Sequence, residues 1–355
     1  MAVLLLLLLL LPAAKPLPVP DSGDCFYIGT WEGSEDISLW RDGVALASSG
    51  LFPSATQAGV MLSIDLQPPV GSRPTVREVE LRGVPEGFGF RPHGLFIDNA
   101  TQRLFVISHS EELEEESIVV FAISPSLEPR LPVLTFEFAL VSPNFPWYPA
   151  SEIWFLNDLA TVSGNELLVT QFGPTSQVLV PKYLWSCSWD EADIGPDGRL
   201  VGDCERAYPD TSLGLNGMNV DSSKTMVWAN DLFLSRLWVF ARDAATGTLT
   251  RLPDVELPGI IDNVEYDSSS GDLAMGLIAP GPLQPQVGAG AVISRRPAAP
   301  GGGYDPPFIA VGVGGTEASG YEVSTSLEFD RWIVLGSPQD LGPVVCDMAP
   351  QKPRD

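Results

Sequence analysis

The sequence predicts an all-β fold, a six-bladed β-propeller, and three observations lead to this prediction. Glycine (34 residues) and proline (33 residues) are abundant, and few windows hold an apolar period of 3.6 residues, so turn-rich β-structure is favoured over helices. Apolar hairpins recur along the whole chain. Their first residues lie 46 to 64 residues apart, which fits one blade of about four short strands. Two β-sandwich domains are the alternative, but no linker-like change in composition divides the chain.

Residues 1–20 are expected to be a leader ahead of the propeller, which we assign to residues 21–355. The apolar run in MAVLLLLLLLLPAAKPLPVP is long enough for the hydrophobic region of a secretory signal and too short for a confident membrane span. The positive residue that usually precedes such a region is missing. We therefore predict a secreted protein, and an uncleaved signal that holds the chain on a membrane or lipid surface is the alternative.

The chain is strongly acidic, with 45 acidic and 20 basic residues and a formal net charge of −25. This charge repels phosphate backbones and leaves no basic patch, which argues against nucleic acid as a partner. Most of the carboxylates are expected to form a solvated surface. The run EELEEES at 111–117 is the clearest case, and we predict that it is a solvated loop after a hairpin.

Four cysteines and one glycosylation sequon fit a secreted protein. An even count suggests two disulfides, for which three connectivities exist. Cys187 and Cys204 bracket a short polar loop, so a local pair is favoured, and Cys25 and Cys346 would then join the two ends of the mature chain. Such a link suits a fold that closes on itself as a ring. The sequon at Asn99 lies on a predicted turn and is the predicted glycosylation site.

The apolar runs, taken in order, place the strands and turns of each blade. Early strands are expected at 37–40, 44–48, 60–66, 95–97, 104–107, 117–123 and 134–141. Later hairpins turn at 163–165, 221–224 and 267–271, and a last pair of strands covers 322–327 and 332–336. The glycine- and proline-rich stretch 280–307 is expected to be a long surface loop, since its apolar run is short. The six units are marked by Asp36, His93, Asn157, Asn216, Asp262 and Tyr321.

Both histidines of the chain lie on one predicted hairpin. His93 opens its first strand and His109 closes its second, and these two ends of an antiparallel hairpin lie side by side. The imidazoles are therefore candidates for a neighbouring pair, although 16 positions separate them. Histidine titrates near neutrality, so such a pair could move a proton. Two separate structural histidines are the alternative.

Polar side chains open the inner hairpin in five of the six predicted units. Equivalent positions of successive blades surround the propeller axis, so these side chains are expected to converge. Ca²⁺ fits oxygen ligands of this kind because it takes about six to eight oxygens, whereas zinc needs nitrogen or sulfur and Mg²⁺ avoids crowded protein cages. Turn caps that bond their own backbone are the alternative. The candidates are Glu35, Asp36, His93, Asn157, Asp158, Asn216, Asp262 and Asn263.

Six short segments carry SED, PHG, ND, NG and DN signatures in order along most of the chain. They are GSEDISLWRDGVALASSGL at 33–51, RPHGLF at 91–96, SH at 108–109, LNDL at 156–159, LNGMNV at 215–220 and DNVEYDSSSGDLAMG at 262–276. Each signature is weak alone. Together they resemble the paraoxonase family, the serum paraoxonases/arylesterases and their relatives.

The resemblance implies a propeller with two calcium ions in its central tunnel that hydrolyses lactones and aryl esters. It implies a catalytic calcium held by Glu35, Asn157, Asn216, Asp262 and Asn263, and a deeper, structural calcium held by Asp36, Asp158 and the carbonyl of Leu95. By the same resemblance, His93 acts as general base on water and His109 assists it. A Cys25–Cys346 bond likewise resembles the ring-closing disulfide of the family.

Three features depart from the family pattern. Gly214 stands where the family commonly has an aromatic residue that lines the substrate pocket, the loop after Leu51 is short, and the acidic run 111–117 is foreign. Two other functions therefore stay open. One is a gluconolactonase-like propeller with a single metal and no histidine dyad. The other is a non-catalytic, secreted calcium-binding propeller, similar to strictosidine-synthase-like relatives, that presents its acidic face to a protein partner.

Overall fold

A closed ring of six sheets forms the molecule. A computed structural model describes residues 24–51, 59–110, 112–128, 130–146, 155–173, 180–278, 290–295, 303–312 and 323–348. Within these ranges the strands form six sheets. The innermost strands contact one another in chain order, and the sixth contacts the first. The six-bladed propeller predicted from the sequence is confirmed, whereas the expected leader 1–20 and the marker Tyr321 lie outside the described residues.

The first three blades use the N-terminal half of the chain. Two strands come before them, β1 (Asp24–Tyr27) and β2 (Glu32–Ser34). Blade one contains β3 (Ile37–Arg41), β4 (Val44–Ser49), β5 (Val60–Asp65) and β6 (Thr75–Glu78). Blade two contains β7 (Glu80–Arg82), β8 (Pro92–Asp98), β9 (Arg103–Ser110), β10 (Glu115–Pro125) and β11 (Pro132–Val141). Blade three supplies β12 (Leu156–Ser163), β13 (Glu166–Gln171), β14 (Leu184–Ser188), β15 (Arg199–Val201) and β16 (Asp203–Arg206).

The last three blades follow the same plan. Blade four contains β17 (Leu215–Val220), β18 (Met226–Asp231), β19 (Arg236–Arg242), β20 (Leu249–Arg251) and β21 (Val255–Glu256). Blade five contains β22 (Ile261–Tyr266), β23 (Leu273–Leu277), β24 (Gly290–Ser294) and β25 (Phe308–Gly312). Blade six contains β26 (Thr325–Phe329), β27 (Trp332–Leu341) and β28 (Val344–Asp347). Among the described residues, the helical structure is a single 3-10 turn, Glu191–Asp193. No helix in this part of the chain is long and apolar enough to cross a membrane.

The N-terminal strand completes the last blade. β1 pairs antiparallel with β28 on the outer side of blade six, and β2 pairs with β27. Cys25 and Cys346 are register partners, and a disulfide joins their sulfurs. One sheet therefore holds both ends of the described chain, as the ring-closing prediction required.

The loop between β14 and β16 connects two blades. A disulfide joins Cys187 of β14 to Cys204 of β16, which are also register partners. Between them, β15 leaves blade three and pairs in parallel with β11, the outer strand of blade two. The short polar loop that suggested this disulfide therefore also fastens neighbouring blades to each other.

The first hairpin shows how turn chemistry sets the register. Arg41 pairs with Val44, so Asp42 and Gly43 form a two-residue turn. Both have positive φ, 40° and 73°. That backbone is the one a type I′ turn requires, and its twist matches the strands on either side. The Asp-Gly pair thus fixes the register of β3, which follows directly after two candidate site residues.

The apolar core lies between neighbouring blades. Ile37 and Leu62 of blade one pack in one cluster with Val334 of blade six. Ile293 of blade five packs in another cluster with Leu335 of blade six. Because the apolar side chains are buried between the sheets, the ends of the inner strands at the axis can carry polar groups.

The prediction of one loop over residues 280–307 is wrong. β24 (Gly290–Ser294) lies in this stretch, is buried throughout, and pairs with β23 on one side and β25 on the other. Its five residues are too short to show a strand period between glycine- and proline-rich flanks. Two neighbouring strands supply the pairing and burial that its local sequence does not signal.

Candidate active site

Four inner strands carry the same irregularity where the candidate residues lie. In β8 the pairing passes from Pro92 to Leu95 while the partner strand advances by two residues, so His93 and Gly94 lie in a one-residue bulge. Corresponding bulges hold Asn157 and Asp158 in β12, Asn216 and Gly217 in β17, and Asp262 and Asn263 in β22. Bulges redirect side chains out of the regular alternation of a strand. The candidate residues of blades two to five therefore share one structural position, whereas Glu35 and Asp36 directly precede β3.

Two motif glycines let the inner strands meet at this level. A Cβ atom on Gly94 would lie 2.2 Å from the Asn157 carbonyl oxygen. A Cβ atom on Gly217 would lie 2.3 Å from the Asn263 Cα atom. Only glycine fits where one backbone approaches another so closely. The glycines of the PHG and NG motifs thus allow the close contact of neighbouring blades around the site.

Five buried residues at or next to the starts of the inner strands carry candidate ligand oxygens, and we call them the upper layer: Glu35, Asn157, Asn216, Asp262 and Asn263. Among the described residues, four of these atoms have no hydrogen-bond partner: Glu35 Oε2, Asn157 Oδ1, Asn216 Oδ1 and Asn263 Oδ1. The Asn263 amide donates to Glu35 Oε1 at 2.9 Å, which orients its nitrogen toward Glu35. Asp262 is also buried, at 7% exposure. Buried acceptors without donors carry a desolvation cost that a cation removes, so these residues could hold a hard metal ion.

The donor set is mainly amide and carboxylate oxygen. No group of three or more His, Cys, Asp or Glu side chains with metal-binding geometry occurs among the described residues. Three of the four unpartnered oxygens belong to asparagines, which such a group would not include. Neutral amide oxygens are normal Ca²⁺ ligands and poor zinc ligands. The residues present therefore fit calcium.

Two carboxylates form a lower layer. Asp36 accepts hydrogen bonds from the backbone N–H of Ile37 at 2.9 Å and of Leu95 at 2.8 Å. Asp158 accepts from Leu159 at 2.7 Å and from Met218 in the next blade at 2.6 Å. Each carboxylate therefore links two neighbouring inner strands.

The lower carboxylates repel each other. Burial, reinforced by the charge of Glu35, raises the pKa of Asp36 to about 7. Burial and the charge of Asp36 raise the pKa of Asp158 well above its ordinary value. Glu265 is buried beside them and shares this behaviour, because burial, Asp36 and Asp158 all raise its pKa. The sequence did not single out Glu265, and a cation among these groups would relieve the repulsion.

The two histidines are direct neighbours, as the hairpin predicted. His93 Nδ1 lies 2.8 Å from His109 Nε2, and both rings are buried. His93 Nε2 faces the upper layer, 3.4 Å from both Glu35 Oε1 and Asn157 Nδ2. Burial by itself lowers the pKa of His93, but the charge and hydrogen bond of Glu35 outweigh it and the pKa stands above its usual value. Burial lowers the pKa of His109, so an added proton resides on His93.

One acidic residue of the site was missed. The loop predicted over the run 111–117 is an exposed turn at residues 112–114, but the prediction is wrong at 115–117, which belong to β10. Glu116 is 1% exposed, and its Oε2 lies 3.2 Å from His109 Nδ1. Its neighbour Glu115 forms an ion pair with Arg199 at 3.0 Å. Both glutamates belong to β10, and Glu111 lies outside the described residues. A carboxylate in the acidic run EELEEES gives no sequence signal of burial, because its partners belong to other parts of the chain.

Aromatic side chains fill the space beside Gly214. The rings of Phe172 and Phe233 stack with centroids 5.9 Å apart, and both are half-buried. A Cβ atom on Gly214 would lie 2.6 Å from the Phe233 ring and 3.0 Å from the Phe172 ring. Gly214 directly precedes β17 and lies two residues before Asn216. Where the family commonly has an aromatic residue, this chain thus has aromatic rings from two other loops.

Asn99, the predicted glycosylation site, lies away from the site residues. It occupies the exposed turn between β8 and β9, at the opposite end of β8 from His93. The loop after Leu51, at 52–58, lies outside the described residues.

Comparison with known proteins agrees with the motifs. The chain matches no family model. It is 25% identical to human serum paraoxonase/arylesterase 2 over 279 residues, which cover 75% of this chain and 72% of the relative. It is 24% identical to human serum paraoxonase/arylesterase 1, with 70% and 67% covered.

Solved structures show the same architecture. The periplasmic gluconolactonase of Pseudomonas aeruginosa matches with a TM-score of 0.52 and 10% identity over 93% of this chain and 97% of that chain. A luciferin-regenerating enzyme matches with a TM-score of 0.50 and 10% identity over 92% and 95%. At such identities these matches establish the fold alone. The order of the motifs and the curated relatives together confirm that the chain resembles the paraoxonase/arylesterase family.

Proposed function

We propose that the chain is a calcium-dependent hydrolase of lactones and aryl esters. The observation that carries the proposal is the cluster of buried, unpartnered oxygens of Glu35, Asn157, Asn216 and Asn263 next to a buried histidine pair. A cation site and a base within reach of each other are the two parts that ester hydrolysis by water needs. The paraoxonase/arylesterase relatives support the substrate class.

The upper layer would hold a catalytic calcium through Glu35, Asn157, Asn216, Asp262 and Asn263. Calcium there supplies a Lewis acid that polarises the substrate carbonyl and stabilises the oxyanion that develops on attack. Asp36, Asp158 and the Leu95 carbonyl would hold a second, structural calcium. The mutual repulsion of the lower carboxylates supports this assignment, because each raises the energy of the other without a cation.

His93 would act as the general base. Its Nε2 faces the upper layer and can take a proton from a water molecule beside Glu35 and Asn157. Glu35 stabilises the imidazolium that forms, since its charge raises the pKa of His93. His109 holds the other ring nitrogen at 2.8 Å and so orients the base. General base assistance of this kind contributes about 10²- to 10⁴-fold in rate.

Substrate hydrolysis with and without calcium tests the proposal. A panel of γ- and δ-lactones and phenyl acetate should be turned over in calcium buffer and not after EDTA treatment. His93→Gln should lose activity while keeping its calcium, whereas Asp262→Ala should lose both. Asp243→Ala, on an exposed turn of blade four, is the matched control and should behave as the wild type. A His93→Gln variant with the wild-type rate would contradict the base assignment.

Metal content separates the alternatives. Two bound calcium ions per chain fit the two layers, whereas one ion favours a gluconolactonase-like propeller. A protein that unfolds on chelation and turns over no lactone or ester favours the non-catalytic calcium-binding propeller. Atomic emission on the dialysed protein, run beside the activity panel, distinguishes these three outcomes.

We also propose that the protein works outside the cell. Two disulfides persist in oxidising compartments, and Asn99 presents an exposed sequon. Expression in animal cells should deliver a product whose apparent mass falls on removal of N-glycans, and Asn99→Gln should abolish that shift. Retention of residues 1–20 on vesicle-bound protein would show that the leader is an uncleaved anchor. A product that stays inside the cell without a glycan would contradict secretion.

A further inference from the structure

Glu116 lies behind the histidine pair, on the side of His109 that faces away from the candidate calcium residues. It is the cross-strand partner of His109, in the register of β9 and β10. We propose that Glu116 is a positioning residue that fixes the tautomers of both histidines and thereby leaves His93 Nε2 unprotonated toward the substrate. The catalytic part of this inference rests on the proposed function, and the tautomer part does not.

Backbone groups of the next blade hold the Glu116 carboxylate in place. Glu116 Oε1 accepts a hydrogen bond from Phe155 N–H at 3.0 Å, and Oε2 accepts from Leu156 N–H at 3.1 Å. Both oxygens are therefore committed as acceptors. An ionised carboxylate can only accept hydrogen bonds, so a polar neighbour has to be the donor.

The carboxylate sets the tautomer of His109. Glu116 Oε2 lies 3.2 Å from His109 Nδ1, and the two groups form an ion pair when that ring is protonated. A proton on Nδ1 of the neutral imidazole would face an acceptor oxygen, whereas a lone pair there would face another lone pair, so the Nδ1–H tautomer is favoured. His109 Nε2 is then the acceptor nitrogen of that ring.

The tautomer of His109 determines the tautomer of His93. His109 Nε2 lies 2.8 Å from His93 Nδ1, and an acceptor on one side of this contact requires a donor on the other. His93 must therefore carry its proton on Nδ1, which leaves a lone pair on Nε2. That atom faces Glu35 and Asn157, where a general base is needed. A chain from carboxylate to imidazole to imidazole thus prepares the base before substrate binds.

Glu116 also connects the histidine pair to the segment that carries candidate calcium residues. Phe155 and Leu156, which hold its carboxylate, directly precede Asn157 and Asp158. One buried side chain therefore sets the position of the histidine pair relative to the start of β12. A purely structural role for Glu116 would explain these hydrogen bonds between blades two and three, but it would not require either histidine tautomer.

The two histidines make a direct experiment available. Because the chain contains only these two, ¹⁵N-histidine labelling of the calcium-loaded protein gives signals from the site alone. At a pH above both histidine pKa values, nitrogen chemical shifts should show Nδ1–H and unprotonated Nε2 for both rings. An Nε2–H tautomer on either ring of the wild type would overturn the proposal, and this measurement needs no variant.

Glu116→Gln tests the cause. A glutamine amide keeps the shape but offers one acceptor in place of two, so the tautomers should change or become mixed. Hydrolysis should fall about 10²- to 10⁴-fold in kcat with little change in KM. Glu115→Gln is the matched control, since that side chain pairs with Arg199, and it should leave both the spectrum and the rate unchanged.

The outcomes separate this inference from the proposed function. A Glu116→Gln protein that folds and keeps both Nδ1–H tautomers would overturn the positioning role, whatever its rate. If no lactone or ester is ever hydrolysed but the wild-type spectrum shows both Nδ1–H tautomers, the proposed function fails and the tautomer assignment stands. If Glu116→Gln does not fold, the wild-type spectrum alone decides the tautomer assignment.

Discussion

The two disulfides predict a difference in stability that depends on chain length alone. Cys25–Cys346 and Cys187–Cys204 each join register partners on adjacent antiparallel strands, and all four side chains are buried. Their sequence separations are 321 and 17 residues. In the chain-entropy model these closures stabilise the folded state by about 6 and about 3 kcal/mol at 25 °C. Since the local settings match, the difference of about 2 to 3 kcal/mol is the more reliable figure.

The perturbation is replacement of each pair by serines. Cys25→Ser with Cys346→Ser should lower the free energy of unfolding by about 2 to 3 kcal/mol more than Cys187→Ser with Cys204→Ser. Equilibrium urea unfolding, followed by circular dichroism in calcium buffer, measures both, with the m-value fitted separately for each variant because opening a cross-link expands the unfolded state. The reasoning fails if opening the ring costs no more than opening the 17-residue loop, because N-terminal closure would then contribute no chain entropy.

Three further predictions concern the site. In EDTA the protein should lose about 2 kcal/mol of stability between pH 5 and pH 7 through Asp36 alone. Burial and Glu35 raise the folded-state pKa of Asp36 to about 7 from an ordinary 3.8, so in this range the folded state holds a proton that the unfolded state has released. Urea unfolding of Asp36→Asn should show a flatter pH dependence, and an equal slope would refute the assignment. Gly214→Ala should displace the Phe233 ring, which lies 2.6 Å from the new Cβ atom. The KM for aryl esters should change by up to about 10-fold at unchanged calcium content. Steady-state kinetics with the ester and lactone panel measures this, and identical KM values would show that the stacked rings do not touch substrate. Asn230→Ala should lower the free energy of unfolding by about 1 to 3 kcal/mol and weaken calcium binding, because the buried Asn230 amide donates to the Ile261 and Asp262 carbonyls. Calorimetric titration with calcium measures the affinity. An unchanged affinity would show that this amide does not support the metal site.

The parts of the fold that follow from local sequence could be predicted. The histidine hairpin brings His93 and His109 together because an antiparallel register depends on the turn between the two strands. The hairpin starts recur at blade length, and the propeller axis brings equivalent positions together. Those two facts predict that the candidate residues of five blades lie close together at the axis.

The parts that depend on other strands could not be predicted. The burial of Glu116 requires the N–H groups of Phe155 and Leu156, which lie 39 and 40 residues further along the chain. The strand β24 depends on pairing with both neighbours, and β15 depends on an outer strand of the preceding blade. Each of these contacts depends on how strands and blades pack against one another, and the composition of a short segment does not predict that packing.

The bulges explain why pairs of adjacent polar residues recur in the sequence. On a regular strand two consecutive side chains point to opposite faces, so one of them would enter the apolar space between blades. In β12 the bulge lets Asn157 reach His93 in the upper layer while Asp158 accepts from Met218 in the lower layer.

The same division holds where the chain enters blade one. Glu35 contacts His93 and Asn263 in the upper layer, and the next residue, Asp36, binds the Leu95 backbone below. In these two pairs, Glu35–Asp36 and Asn157–Asp158, the first residue belongs to the upper layer and the second to the lower layer, so we predict two bound ions rather than one.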